Sequence, residues 1–145
     1  MQNLASDIKW GRVKNKVSAG QTDGVSDAID MSGYSNALII IAWGAITSGG
    51  AQSNKLSQNQ DGGATVADLE GSAQTVADTD DNKLVVYDVR EPLERYLFAH
   101  YLRATQNSEI DGIFYALYNG KVAPAVNGST VKAIKRLVSP AEGTA

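Results

Sequence analysis

The stretch from Glu94 to Tyr118, ERYLFAHYLRATQNSEIDGIFYALY, carries apolar residues at both odd and even positions, and this constrains the fold more than any other feature of the chain. Tyr96, Phe98, Leu102 and Ala104 alternate with Leu97, Ala99, Tyr101 and Arg103. Beyond a polar Thr-Gln-Asn-Ser-Glu connection, Ile113, Tyr115 and Leu117 alternate with Phe114, Ala116 and Tyr118. Side chains two apart share one face of a strand, and aromatic and β-branched types suit a pleated, half-buried surface. The spacing predicts a β-hairpin. Apolar groups on both faces place its strands in the middle of a two-sheet sandwich rather than in a sheet wetted on one side.

The remaining chain divides into short strand candidates and turn-rich polar stretches. Asp7 to Val17 reads as a first strand, the following SAGQTDGVSD as loop, and Val25 to Met31 as a short strand. Asn36 to Ile46 holds ALIIIAWGAI, whose successive isoleucines are stiff at χ1 and favour a strand buried on both faces over a helix. Ala51 to Gln60 alternates as a surface strand; Thr65 to Leu69 and Ser72 to Val76 are shorter candidates, and Asn82 to Val89 (NKLVVYDV) is a clear one. Pro92 breaks any continuation. After Gly120 the pattern predicts a strand from Lys121 to Val126, an Asn127-Gly128 turn and a last strand from Thr130 to Val138, before a polar tail SPAEGTA. About eight strands with no strong amphipathic helix predict an all-β, antiparallel sandwich of jelly-roll type. The expected organisation is one domain over residues 1–145 with polar N-terminal and C-terminal (139–145) extensions.

At 145 residues such a domain buries a real core without staples, so the absence of cysteine costs it nothing structurally. The beginning, MQNLASDIKWGRVKNK, has no apolar signal-like region, and the apolar run Ala37 to Trp43 is far short of a membrane span, so the expectation is a soluble, unexported protein. Charge is distributed unevenly: residues 1–20 carry +3, residues 61–88 carry -6, and residues 121–145 carry +3 before the terminal carboxylate. Such polarity either steers a protein onto a charged partner or decorates solvated loops.

No constellation in the sequence carries catalysis. Asp78-Thr79-Asp80-Asp81-Asn82 superficially resembles a calcium loop, but Lys83 stands where that loop needs glycine and Val89 where it needs a bidentate glutamate. A turn capped by its own Asp and Asn side chains is the better reading. His100, the single histidine, lies mid-strand and reads as structural, and one His without Cys cannot build a His-rich or thiolate metal site in one subunit. Neither catalytic residues, metal nor cofactor is expected. The basic residues sit at opposite chain ends and are not interleaved with aromatics, which argues against nucleic acid. Trp10, Trp43, Tyr34, Tyr87, Tyr96, Tyr101, Tyr115 and Tyr118 are candidate sugar platforms whose strand positions favour packing instead.

Several runs also resemble a known family. VADTDDNKLVVYDVREPLERY (Val76 to Tyr96), RATQNSEIDGIFYALY (Arg103 to Tyr118) and VSPAEGTA (Val138 to Ala145), with AWGAITSGG (Ala42 to Gly50) and DMSGY (Asp30 to Tyr34), are similar to small virion proteins of tailed bacteriophages. Among these the chain most resembles the jelly-roll cement, or capsid decoration, proteins of short-tailed phages; its first 29 residues depart most from that pattern. The resemblance implies a non-enzymatic homodimer on the outside of the icosahedral head, made in the host cytoplasm, that clamps neighbouring major capsid subunits. Neither nucleic acid nor membrane is an expected partner. Capsid contacts are expected at the C-terminal end, through Lys132, Lys135, Arg136, Ser139, Pro140 and Glu142. The competing functions are a carbohydrate-binding jelly-roll module of a phage receptor-binding or adhesion protein, and a glycoside hydrolase whose two acids the sequence does not single out.

Overall fold

A computed structural model describes residues 3–137 and 141–144. It contains eleven strands: β1 (Lys9–Lys14), β2 (Val17–Gly20), β3 (Gly24–Val25), β4 (Ile29–Asp30), β5 (Tyr34–Ile46), β6 (Ala51–Asn59), β7 (Ala67–Asp68), β8 (Gln74–Ala77), β9 (Leu84–Arg90), β10 (Tyr96–Ala104) and β11 (Ser108–Gly120). All pairings are antiparallel, and they form two sheets. One runs β1-β11-β5-β9 with β2 also on β11; the other runs β3-β10-β6-β7 with β4 on β10 and β8 on β6.

Three pairs of short strands lie end to end along one neighbour. Residues 9–14 and 17–20 share β11, Gly24–Val25 and Ile29–Asp30 share β10, and Ala67–Asp68 and Gln74–Ala77 share β6. Counted as continuous lines there are eight, four to a sheet, and their order is that of a jelly roll. The expected eight strands are therefore eight lines, three of them interrupted. The stretch expected as loop, residues 18–27, instead holds most of β2 and all of β3, while the break between β1 and β2 falls at residues 15–16, inside the expected first strand.

Each strand of the Glu94 to Tyr118 stretch buries one face in the core, but its other face is only half-buried at Tyr96, His100, Leu102, Phe114 and Tyr118, because a strand in a sandwich has one sheet packed on it and not two; nor does the hairpin form. β10 lies between β6 and the β3/β4 line in one sheet, while β11 lies between β5 and the β1/β2 line in the other. A tight connection at Thr105–Asn107, with Thr105 at φ 72°, carries the chain across the sandwich. Alternation identifies each strand and is blind to its partner. Here β6 matches β10 over nine consecutive pairs, from Tyr96↔Asn59 to Ala104↔Ala51, and β5 occupies the corresponding side of β11.

Ile39, Ile41, Trp43, Ile113 and Leu117 from the first sheet meet Leu56, Leu97, Ala99 and Tyr101 from the second in one core. Trp43 is 1% exposed, and its indole Nε1 donates to Asn54 Oδ1 at 2.8 Å across the sheets. The Asn54 amide in turn donates to the His100 carbonyl at 3.1 Å, so a buried polar pair is satisfied and fixes how the sheets sit on each other. Arg103, 5% exposed, closes one end of the sandwich. Its guanidinium donates to the carbonyls of Ser18, Thr22 and Ser108 at 2.7–2.9 Å, tying the β2–β3 connection to the start of β11.

Neither strand expected after Gly120 is present among the described residues: 121–126 and 130–137 have no ladder partner. That segment instead runs beside β1. Its alternation suits an extended chain, but the two sheets are already complete without it.

Candidate functional site

The surface built by the C-terminal segment and the outer face of the β1–β9 sheet concentrates the side chains suited to a partner. Strand β1 ends that sheet, so the backbone N–H groups of Trp10 and Arg12 point away from β11. Asn127 Oδ1 accepts from Trp10 N at 2.6 Å and Thr130 Oγ1 accepts from Arg12 N at 3.2 Å. The backbone adds Ala125 N to Ser6 O at 2.6 Å and Lys121 N to Gly33 O at 2.9 Å. Side-chain acceptors thus blunt the edge without adding a strand.

Beyond Thr130 the segment turns outward. Lys132, Lys135 and Arg136 are exposed, as is Glu142; Ser139 and Pro140 lie outside the described residues. The structure brings the three basic residues onto one exposed segment, but not onto a strand. Hydrogen bonds from the Asn3 N–H and then the Ser6 hydroxyl hold the Asp7 carboxyl below its usual range, and the Arg136 charge adds a smaller pull in the same direction. Lys132 and Lys135 make no ion pair among the described residues. Val122, Val126 and Leu137 project from the same segment at 70–80% exposure, an apolar component that charge counting missed.

The outer sheet face is apolar too. Cross-strand register aligns Val86 with Ile40, Ile40 with Phe114 and Phe114 with Arg12, whose guanidinium carbon lies 4.9 Å from the Phe114 ring centre. Leu84 and Val86, on the far edge, are more than half exposed. The uninterrupted apolar residues of β5 and β9 were the available signal for this face, and they read equally well as core.

The other sequence candidates resolve into structural roles. In the acidic run, Asp78 Oδ2 accepts from Gly49 N at 2.7 Å, Asp80 Oδ2 accepts from Ala77 N at 3.0 Å, and Asp80 Oδ1 pairs with Lys83 Nζ at 2.8 Å. The Asp80 carboxylate caps the 3-10 turn at Asp78–Asp80 and that of Asp78 ties the turn to Gly49, and Lys83 occupies the position from which it would repel a cation. His100 Nε2 lies 2.6 Å from Ser57 Oγ. Burial first, then the Lys55 ammonium, holds the imidazole below its ordinary pKa, so it is neutral at pH 7. Ser57 is 0% exposed, which denies this pair a substrate to attack. Tyr87 donates to the Ser72 carbonyl at 2.9 Å, and burial pushes its hydroxyl up to about 12. The Tyr118 hydroxyl donates to Asp88. Trp43 and Tyr101 are core residues.

No family model matches this chain, and no curated protein is similar to it. No helix among the described residues is long and apolar enough to cross a membrane.

Proposed function

We propose that the protein is a non-enzymatic cement protein of a phage virion, made in the host cytoplasm, binding as a homodimer to the outside of the icosahedral head and stabilising contacts between major capsid subunits. The class comes from the resemblance of the runs between Asp30 and Ala145. The observation that carries the reading is the C-terminal segment, which is anchored to β1 at Asn127 and Thr130 yet leaves Lys132, Lys135, Arg136 and Leu137 exposed. A fixed arm with basic and apolar groups loses less entropy on docking than a free tail, and repetition over a lattice multiplies weak contacts.

Two variants test it: Lys132, Lys135 and Arg136 changed together to Glu, and residues 139–145 deleted. Both are expected to fold with near-normal thermal stability and to bind bare capsid shells more weakly, with a salt dependence that the charge-reversed form loses. Undiminished binding by both variants discards the assignment of this arm as the contact.

A further inference from the structure

Asparagine precedes glycine twice in this chain, at Asn119-Gly120 and Asn127-Gly128. In such a pair the backbone nitrogen of the glycine can reach the carboxamide carbon of the asparagine, since no side chain on the second residue stands in the way. The structure treats the two pairs differently. Gly128 is exposed, a Cβ at that position would meet no atom within 4 Å, and its N–H donates to no group among the described residues. Asn127 is half-buried, and its Oδ1 accepts from Trp10 N at 2.6 Å. Asn119 lies instead within β11 at φ 54°, with Gly120 opposite Tyr34 in the ladder and Lys121 N donating to Gly33 O at 2.9 Å just beyond it. A Cβ on Gly120 would stand 2.9 Å from the Tyr34 ring. No N–H among the described residues donates to the Asn119 carboxamide.

We propose that Asn127-Gly128 is a self-modification site, at which the folded protein deamidates its own Asn127 and so loosens the cover over β1. Gly128 N attacks Asn127 Cγ and gives up its proton; the Cγ–Nδ2 bond breaks, and the nitrogen leaves as ammonia with that proton. The succinimide ring so formed takes up one water at either carbonyl and opens to aspartate or isoaspartate, with no change of oxidation state. As the new C–N bond forms, negative charge grows on Oδ1, the atom that already holds the Trp10 N–H, so that donor acts as a single-donor oxyanion hole. The two products differ at the edge. The aspartate product keeps an oxygen for Trp10 N and adds a charge that strengthens the bond. In the isoaspartate product the main chain leaves through Cγ, and the spacing from Oδ1 to Thr130 Oγ1 no longer matches that from Trp10 N to Arg12 N. The chemistry needs no partner and stands apart from the cement reading; it limits how long the basic arm beyond Thr130 stays fixed.

The test ages the full chain at mildly alkaline pH, with a second sample held unfolded in urea, and follows both by peptide mass spectrometry. Asn127 is expected to convert about tenfold faster in the folded protein than in urea, and ahead of Asn119. Gly128→Ala, for which the surroundings leave room, is expected to slow conversion at position 127 by about tenfold or more without moving the melting temperature. Isoaspartate-containing protein, separated by ion exchange, is expected to show faster hydrogen exchange at the Trp10 or Arg12 amide, whereas Asn127→Asp keeps both protected. Conversion of Asn127 that is no faster folded than unfolded, that trails Asn119, or that Gly128→Ala leaves undiminished overturns the site. Full protection of both amides in the isoaspartate form overturns the loosening. If Gly128→Ala fails to fold, the folded and urea-held wild-type samples decide.

Discussion

Strands β1 and β9 end the same sheet on opposite sides, and the chain treats their outward backbone groups differently. At β1, Asn127 and Thr130 accept from Trp10 N and Arg12 N. At β9, the outward groups of Leu84, Val86, Asp88 and Arg90 have no strand beside them among the described residues. Leu84 and Val86 also remain 61% and 52% exposed. A sandwich has four such edges, and an uncovered apolar one invites another chain. The difference teaches that the C-terminal segment has a structural task at β1 distinct from any binding by its outer residues.

Truncation after Gly120 breaks the comparison most severely. It removes four hydrogen bonds along Ser6, Trp10, Arg12 and Gly33, each worth about 0.5–1.5 kcal/mol, so a loss of about 2–6 kcal/mol is expected in urea unfolding. If stability is retained, the covering of β1 is incidental.

Changing Asn127 and Thr130 together to Ala should cost less, about 1–3 kcal/mol, and should make the protein aggregate through a newly open β1. Light scattering of this variant against wild type gives the readout, and the addition of Val86→Lys separates the edges: aggregation through β1 persists in the triple variant. By itself Val86→Lys should change unfolding stability by no more than about 0.5 kcal/mol, because its side chain is already about half in water.

The smallest expected effect lies away from both edges and serves as a baseline. The folded-state pKa of His100 is held below 6.5 by burial, so its neutral form is favoured by folding. Its contribution is fully present above pH 6.5 and declines as pH falls through that value toward the folded pKa. His100→Gln should therefore flatten the acid side of the melting-temperature profile, with no change in its slope above neutrality.

The long hairpin shows where local pattern ceases to suffice. Residues 96–104 and 110–118 were legible as strands from their alternation, with Ser108 and Glu109 read as connection although they open β11, yet whether consecutive strands pair or cross between sheets depends on competition among distant partners. β6 and β5 win that competition by matching register over most of their length. The candidate site was legible only in part. Lys132, Lys135 and Arg136 were identified as exposed cations, but the expected last strand was not there to carry them, because the segment meets the β1 edge through the side chains of Asn127 and Thr130 rather than through a backbone ladder. Asn127 read as a turn residue; its role as an acceptor for Trp10, 117 positions away, has no local signature.

By itself the sequence determined that this chain is all-β, that most of its strands lie where alternation and isoleucine stiffness put them, and that the acidic run at Asp78–Asn82 is a turn. Those properties follow from neighbours along the chain, where steric preference and two-residue periodicity act. Only the tertiary structure decided which strands share a sheet, that Asn54 meets the Trp43 indole, and that one edge is covered while β9 is open. Those depend on contacts between residues far apart in sequence, where register and hydrogen-bond satisfaction select among arrangements that local propensity leaves equal.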